Sequence, residues 1–178
     1  PILSGLVGSE MCIRDRCVDA GKSIAYRLDL PVVIVPTLAS NDAPCSALSV
    51  MYSSEGVQND VEYYPESPAL VIVDTGVVAS ASERFLVAGM GDAMATWYEA
   101  KACLANPEGR NCVGSRPTLA CTAMGEVCAH TLYEYGEMAS ASVAAGRSDE
   151  SVERVVAVSY THLRAHETRE DRVCRRGR

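Results

Sequence analysis

The sequence has little of several features that would at once define a class of protein. Aromatic residues make up only 6% of its 178 residues, with one Trp and one Phe. No apolar run approaches the length of a membrane span. The net charge of −7 argues against a general surface for nucleic acid or anionic membranes. Eight cysteines are too few for a disulfide scaffold, so we expect free thiols and a cytoplasmic location.

Signatures of common catalytic sites are also absent. The spacing of the cysteines between residues 103 and 128 fits no zinc motif, and Cys121 and Cys128 are predicted to pack as small core residues. No Gly-x-Ser-x-Gly motif supports a hydrolase. The AGKS motif at 20–23 lacks the earlier glycine of a phosphate loop, because position 16 is Arg. It is predicted to form the first turn of a helix.

The two ends of the chain differ in composition from its middle. The middle is strongly acidic, whereas the last twenty residues are rich in Arg. Residues 1–16 and 158–178 resemble translated vector or adapter sequence, and we predict that both are read-through scars outside the fold. A basic arm for nucleic acid, or a metal pair from His162 and His166, are weaker interpretations of the C-terminal segment.

The middle of the chain predicts an α/β part followed by an all-α part. A helix before residue 31, with Ile24, Ala25 and Leu28 on its apolar face, precedes the β-branched run 31–36. That run and 70–74 are predicted to be strands buried on both faces, as in a parallel sheet. The runs 47–52 and 57–64, joined by the polar segment 53–56, predict a hairpin.

From residue 82 onward the pattern is helical. Residues 82–105 contain no Pro and predict one long helix, capped by Ser82 or Ser80. NPEGRN at 106–111 is a turn cluster, and 118–145 predicts one or two further helices. Asp149 is expected to cap a short helix that ends at Val156.

A polar segment directly after the first buried strand is a candidate ligand site. In open α/β sheets, ligands bind beyond the carboxyl ends of the strands. There Thr37, Ser40 and Ser46 are potential donors to phosphate or ribose oxygens, and Asp42 is a potential acceptor for hydroxyls. The alternative is a plain turn in which Asn41 and Asp42 bond their own backbone. Composition leaves both interpretations open.

A second candidate is Asp92, a single carboxylate among small and apolar residues of the long helix. Gly89 and Gly91 beside it would let another backbone or a ligand approach closely. A buried carboxylate requires a partner because burial of an unpaired charge is very costly. Either a metal ion or an Arg would serve, and the spacing does not decide between them.

Three stretches closely resemble the glycerol dehydrogenases of the iron-containing (group III) alcohol dehydrogenase superfamily. They are LPVVIVPTLASNDAPCSALSVMYSSEGV, PALVIVDTGVVASASERFLVAGMGDAMATWYEAKAC and LYEYG. The resemblance runs almost without gaps over 17–157 and covers the middle of a family member. It implies a partial dinucleotide-binding α/β domain over 17–80 and the first helices of a helical metal and substrate domain over 81–157.

The resemblance also implies an activity and its cofactors. Family members oxidise a secondary alcohol, glycerol to dihydroxyacetone, with NAD as hydride acceptor. A divalent metal, most often zinc in this branch, holds the substrate oxygens and stabilises the alkoxide. Such enzymes form homo-oligomers and act on a small polyol, without nucleic acid or membrane as a partner.

Individual positions match family roles by the same resemblance. Asp42 matches a substrate-contacting acid, and Asp92 matches the metal-ligand Asp that also contacts substrate. The family's two His ligands are not found in this chain, so the chain by itself is expected to be inactive. Positions that match nucleotide contacts are Asp19, Thr37, Ser40, Ser46, Leu48 and Tyr52.

Two alternative functions remain. One is another enzyme of the superfamily, acting on a different polyol or alcohol or on glycerol 1-phosphate. A phosphorylated substrate would call for added basic residues, and the chain has two lysines, Lys22 and Lys101. The other alternative is a non-catalytic fragment that binds nucleotide or a partner chain.

Overall fold

The computed structural model describes residues 10–53, 56–110 and 114–166, with side chains described for 16–53, 56–110 and 114–161. Its first part contains α1 (Glu10–Arg27), β1 (Val33–Ile34), β2 (Leu48–Tyr52), β3 (Gln58–Tyr63) and β4 (Leu70–Val71). Its second part contains α2 (Thr75–Ala79), α3 (Glu83–Ala105), α4 (Leu119–Ala144) and α5 (Glu150–His166). The predicted order, α/β first and helices second, is confirmed.

The strands form two small sheets. β1 and β4 pair in parallel, with Val33 opposite Leu70, and β2 and β3 pair in antiparallel orientation, with Val50 opposite Val61. The hairpin 47–64 is therefore confirmed. The prediction that 31–36 and 70–74 are buried on both faces is wrong, because Val33, Leu70 and other apolar side chains of both segments are about half exposed.

Helix α1 uses its polar residues as its buried face. Asp19, Lys22 and Ser23 are buried, whereas Ile24 is 58% and Leu28 62% exposed. The apolar face that the sequence predicts for this helix is thus exposed, and the polar face carries the packing. AGKS at 20–23 also lies inside α1 and not in its first turn. The polar side chains of the buried face have partners in the hairpin, which compensate the cost of burying them.

Glu62 of β3 is one of these partners. Its carboxylate accepts hydrogen bonds from Ser23 Oγ at 2.7 Å and from Tyr64 Oη at 3.0 Å, and it pairs with Arg27. The Ser23 hydroxyl, followed by Arg27, holds the pKa of Glu62 below its usual value. These contacts tie the C-terminal half of α1 to the hairpin.

The main core lies among the helices and consists of small apolar side chains. Val152 and Val155 of α5 are fully buried, with Cys128 and Ala139 of α4 beside them. Cys121 is buried as well, so the predicted packing of Cys121 and Cys128 is confirmed. Burial in this apolar core raises the pKa of the Cys128 thiol to about 11. None of the described helices has the length and apolar character needed to cross a membrane.

Asp149 lies in the turn between α4 and α5 and caps the first turn of α5. Gly146 has a φ of +66°, and the N–H of Arg147 reaches back to the Ser142 carbonyl at 2.9 Å, which ends α4 in a Schellman-type turn. Asp149 Oδ1 then accepts hydrogen bonds from the N–H groups of Ser151 and Val152. The predicted cap is confirmed, but the helix continues past Val156 to His166.

Two residues beyond the predicted boundary at 157 pack inside the molecule. Ser159 and Tyr160 are buried, and Tyr160 Oη donates to the carbonyl of Leu38 at 2.9 Å. The predicted scars 1–16 and 158–178 lie in large part outside the described residues, as do the side chains of His162 and His166. The limits of the domains stay predictions.

The approach of α3 to the segment after β1 predicts opposite effects for two neighbouring glycines. A Cβ at Gly89 would overlap the Ala39 carbonyl oxygen and lie 2.9 Å from its carbon, whereas a Cβ at Gly91 would meet nothing within 4 Å. Gly89→Ala should lower the free energy of unfolding by about 1–3 kcal/mol through overpacking. Gly91→Ala should leave it unchanged or raise it by up to about 1 kcal/mol. Urea unfolding of both variants measures this, and equal effects would contradict the close approach.

The cap of α5 predicts a loss of stability in acid. Hydrogen bonds from Ser142 and then Ser151 lower the pKa of Asp149 to about 2. A carboxyl whose pKa is lower in the folded state contributes stability above its unfolded pKa, near about 4, and loses it as the pH falls toward 2. Asp149→Asn should therefore be less stable than wild type at pH 6, and the difference should shrink between pH 4 and 2. Thermal melts over this range test it, with Glu153→Gln on the same helix as the control.

Candidate nucleotide and substrate site

The segment between β1 and β2, residues 36–47, carries half of the predicted site residues. Three helices hold it. Gly89 of α3 lies against Ala39, Tyr160 of α5 donates to Leu38, and Lys22 of α1 donates to Ala43 at 2.9 Å. The segment is therefore held at several points along its length.

Thr37 and Ser40 lie at a cavity between this segment and α1. The cavity has a volume of about 190 Å³, and Thr37 is exposed while Ser40 is half-buried. Cys17 and Val18 of α1 form its other wall. The cavity has an apolar lining with hydroxyl groups at its edge, so it is suited to one part of a ligand and is smaller than a typical complete ligand pocket, about 300–1,000 Å³.

Tyr52 and Asp19 line a second cavity of about 190 Å³ at the end of β2. The guanidinium of Arg16 lies 4.7 Å from the centre of the Tyr52 ring, a cation–π contact. Sequence reasoning missed Arg16 because it assigned 1–16 to a scar. The ring of Tyr52 remains exposed, so it is accessible to a ligand.

Asp19 and Ser46 have internal partners. Asp19 Oδ1 lies 2.9 Å from Lys22 Nζ, and its Oδ2 accepts from the Val50 N–H at 3.1 Å. Ser46 Oγ accepts from Lys22 Nζ at 3.0 Å. Both side chains are buried, and the carbonyl of half-buried Leu48 is a further acceptor for Lys22. The structure thus separates the predicted nucleotide residues into an accessible set and an internally bonded set.

Asn41 and Asp42 form a turn at the middle of the segment. Asn41 Oδ1 accepts from the Ala43 N–H at 3.1 Å, and the Asp42 carbonyl accepts from the Cys45 N–H at 2.9 Å. The turn that sequence reasoning weighed against a ligand site is therefore present. Asp42 is half-buried within it, so its position does not exclude contact with a ligand.

Asp92 lies one turn after Gly89 on α3. Residues three apart share a helix face, so Asp92 is on the side of α3 that approaches Ala39. The sequence analysis expected a buried acid, but Asp92 is exposed and carries no burial penalty. Within the described residues, no group of three or more His, Cys, Asp or Glu side chains is arranged to hold a metal. These residues alone therefore do not form a metal site.

Comparison with known proteins shows which family this chain resembles. Residues 15–82 match the family model of iron-containing alcohol dehydrogenases. Glycerol dehydrogenase of Thermotoga maritima is 44% identical over 159 residues, covering 86% of this chain and 43% of that protein. Glycolaldehyde reductase of Halobacterium salinarum is 44% identical over 141 residues, covering 79% and 38%.

A solved structure shows that the fold is shared as well. The crystal structure of glycerol dehydrogenase from Schizosaccharomyces pombe superimposes with a TM-score of 0.78 at 33% identity, covering 85% of this chain and 38% of that one. The chain spans about two fifths of the length of the relatives that it matches. Over that span, the chain is similar in sequence and fold to the iron-containing alcohol dehydrogenases.

Proposed function

We propose that this chain is a segment of an NAD-dependent glycerol dehydrogenase, an enzyme that oxidises glycerol to dihydroxyacetone. The observation that carries the proposal is the 44% identity to a glycerol dehydrogenase over 86% of the chain. An alignment of 159 residues in a chain of 178 includes both the segment 36–47 and α3. The proposal includes the cytoplasmic location and the homo-oligomeric assembly predicted from the sequence.

The nucleotide would be bound along the segment after β1 and at the end of β2. Thr37 and Ser40 offer hydroxyl groups at one cavity, and the exposed ring of Tyr52 offers a stacking surface at the other. Asp42 would accept hydrogen bonds from the hydroxyls of the polyol. Each of these roles depends on side chains that a ligand can reach in the described arrangement.

Asp92 would be one ligand of the divalent metal in the complete enzyme. Its exposed carboxylate is accessible to an ion, but a catalytic metal site needs about three protein ligands. We propose zinc as this metal, the one that the family resemblance implies for this branch. The other ligands would come from outside the described residues, in agreement with the two His that the family resemblance implies.

Replacement of the matching segment in a complete relative tests the proposal. In what we call the hybrid enzyme, residues 17–157 of this chain replace the corresponding part of the Thermotoga maritima glycerol dehydrogenase. The hybrid enzyme should reduce NAD in the presence of glycerol, measured as NADH fluorescence. A folded hybrid enzyme without that activity would contradict the proposal. The 178-residue chain alone should show no such activity, because Asp92 by itself does not hold a catalytic metal.

The role of Asp92 predicts a specific loss in the hybrid enzyme. Asp92→Asn should lower kcat/KM for glycerol by at least about a hundredfold, because even indirect partners of metal ligands contribute about 10–100-fold. It should also lower the bound metal content, measured by atomic absorption, at an unchanged melting temperature. Glu99→Gln, two turns further along the same face of α3, is the matched control and should change neither. Full metal occupancy in the Asn variant would show that Asp92 is not a ligand of the metal.

Reduction of an aldehyde is the second candidate, because glycolaldehyde reductase matches this chain at the same identity. Both reactions transfer a hydride between a nicotinamide and a carbon that carries oxygen, so the same residues serve either direction. The hybrid enzyme should be compared with glycerol plus NAD and with glycolaldehyde plus NADH. A much higher kcat/KM for glycolaldehyde would favour the second candidate.

A further inference from the structure

Lys22 is a buried ammonium group whose partners concentrate on one short segment of the chain. Its side chain is only 2% exposed, and its Nζ lies 2.9 Å from Asp19 Oδ1. Its remaining acceptors are the Ala43 carbonyl at 2.9 Å, Ser46 Oγ at 3.0 Å, the Ser46 carbonyl at 3.4 Å and the carbonyl of Leu48. An ammonium has three protons, and all of them have acceptors here. The single Nζ atom of Lys22 thus donates hydrogen bonds to three residues, Ala43, Ser46 and Leu48.

Asp19 extends this arrangement into β2. Its Oδ2 accepts from the Val50 N–H at 3.1 Å, and its backbone carbonyl accepts from Ser49 Oγ at 2.9 Å. Both of these side chains, Asp19 and Ser49, are buried. The pair of charges therefore connects one turn of α1 with the chain from Ala43 to Val50. A buried pair is favourable only when its remaining bonding capacity is also used, and the chain from Ala43 to Val50 supplies partners for Lys22 Nζ and for Asp19 Oδ2.

The same contacts decide which side chains a ligand can reach. The hydroxyl of Ser46 and the carboxylate of Asp19 are buried and contact Lys22, and Asp19 also lines the cavity beside Tyr52. Thr37 and Tyr52, by contrast, are exposed on either side of the tied segment. The position of Thr37 relative to Tyr52 depends on the path of the backbone between them, and the hydrogen bonds of Lys22 fix that path.

We propose that Lys22 is a positioning residue of the nucleotide site, which fixes the segment 43–48 between Thr37 and Tyr52. This inference rests on the proposed function for the identity of the ligand. Its structural part, the hold of Lys22 on the segment, can be measured without any ligand.

Cysteine labelling in the complete 178-residue chain measures that hold. Cys45 lies between two acceptors of Lys22 and is buried, so it reports opening of the segment, whereas Cys128 in the helical core reports global unfolding. Lys22→Met should raise the labelling rate of Cys45 by about tenfold or more and leave that of Cys128 unchanged, because buried acceptors lose their donor. Lys101→Met, the same change at the exposed second lysine, should alter neither rate. Peptide mass spectrometry gives the rate for each cysteine.

A double variant tests whether the unpaired charge of Asp19, which remains in Lys22→Met, destabilises the whole fold and so explains the faster labelling. Asp19→Asn together with Lys22→Met removes both charges and keeps similar volumes, which is often tolerated in buried pairs. It should still label rapidly at Cys45 and slowly at Cys128. Labelling of Cys45 at the wild-type rate, or a parallel rise at both cysteines, would overturn the inference.

The hybrid enzyme separates positioning from a purely structural role. The double variant should raise KM for NAD by about tenfold or more, with kcat and KM for glycerol within about twofold of the unchanged hybrid enzyme. An equal rise of both KM values would overturn the positioning role. Inactivity of the hybrid enzyme with Lys22 intact would instead count against the proposed function, and the labelling result would stand.

Discussion

Two opposite charges, on Asp19 and Lys22, lie together in the interior between α1 and β2. Removal of both from water costs several kcal/mol per ion, on the order of what the interaction and its hydrogen bonds return. The arrangement persists because the backbone groups from Ala43 to Val50 supply the remaining acceptors and a donor. Through this pair, α1 determines where the segment after β1 turns back into the hairpin.

The rest of the molecule depends on that segment because the helical part meets it from the other side. Gly89 brings the backbone of α3 against Ala39, and Tyr160 of α5 donates to Leu38. The α/β part and the helices are thus joined at the residues that carry the candidate site. Since Asp92 lies one turn from Gly89, a change in this contact would also shift the carboxylate toward or away from the segment.

Several large apolar side chains of α1, β1 and β4 are exposed on the surface of the described fold. Ile24 and Leu28 of α1, with Val33 and Leu70 of the parallel pair, are about half exposed or more. Apolar surface of this extent is unusual on a monomeric domain and indicates surface that further structure covers. A segment that spans about two fifths of its relatives has such surfaces wherever its own elements would meet the remainder.

The sequence by itself determined the order of elements and many of their ends. The hairpin follows from alternation, the long helix after Ser82 from the helical period, and the start of α5 from the Asp149 side chain that satisfies backbone N–H groups, all of which are local. The predicted serine cap of the long helix is wrong, because the Ser82 side chain makes no capping hydrogen bond. Burial could not be read in the same way. The apolar face of α1 and the strand at 33–34 have the pattern of buried elements, but their exposure depends on which other strands and helices lie against them.

Only the tertiary structure decided which of the candidate site residues a ligand can reach. Ser46 and Thr37 look alike in sequence, because both are hydroxyl residues after a strand. Lys22, 24 positions before Ser46, donates a hydrogen bond to the buried Ser46 hydroxyl, whereas Thr37 is exposed. Asp92 looked buried from its apolar neighbours, yet its side chain faces solvent. In each case the deciding partner is distant in the chain, and a contact between distant residues leaves no local period or spacing from which it can be predicted.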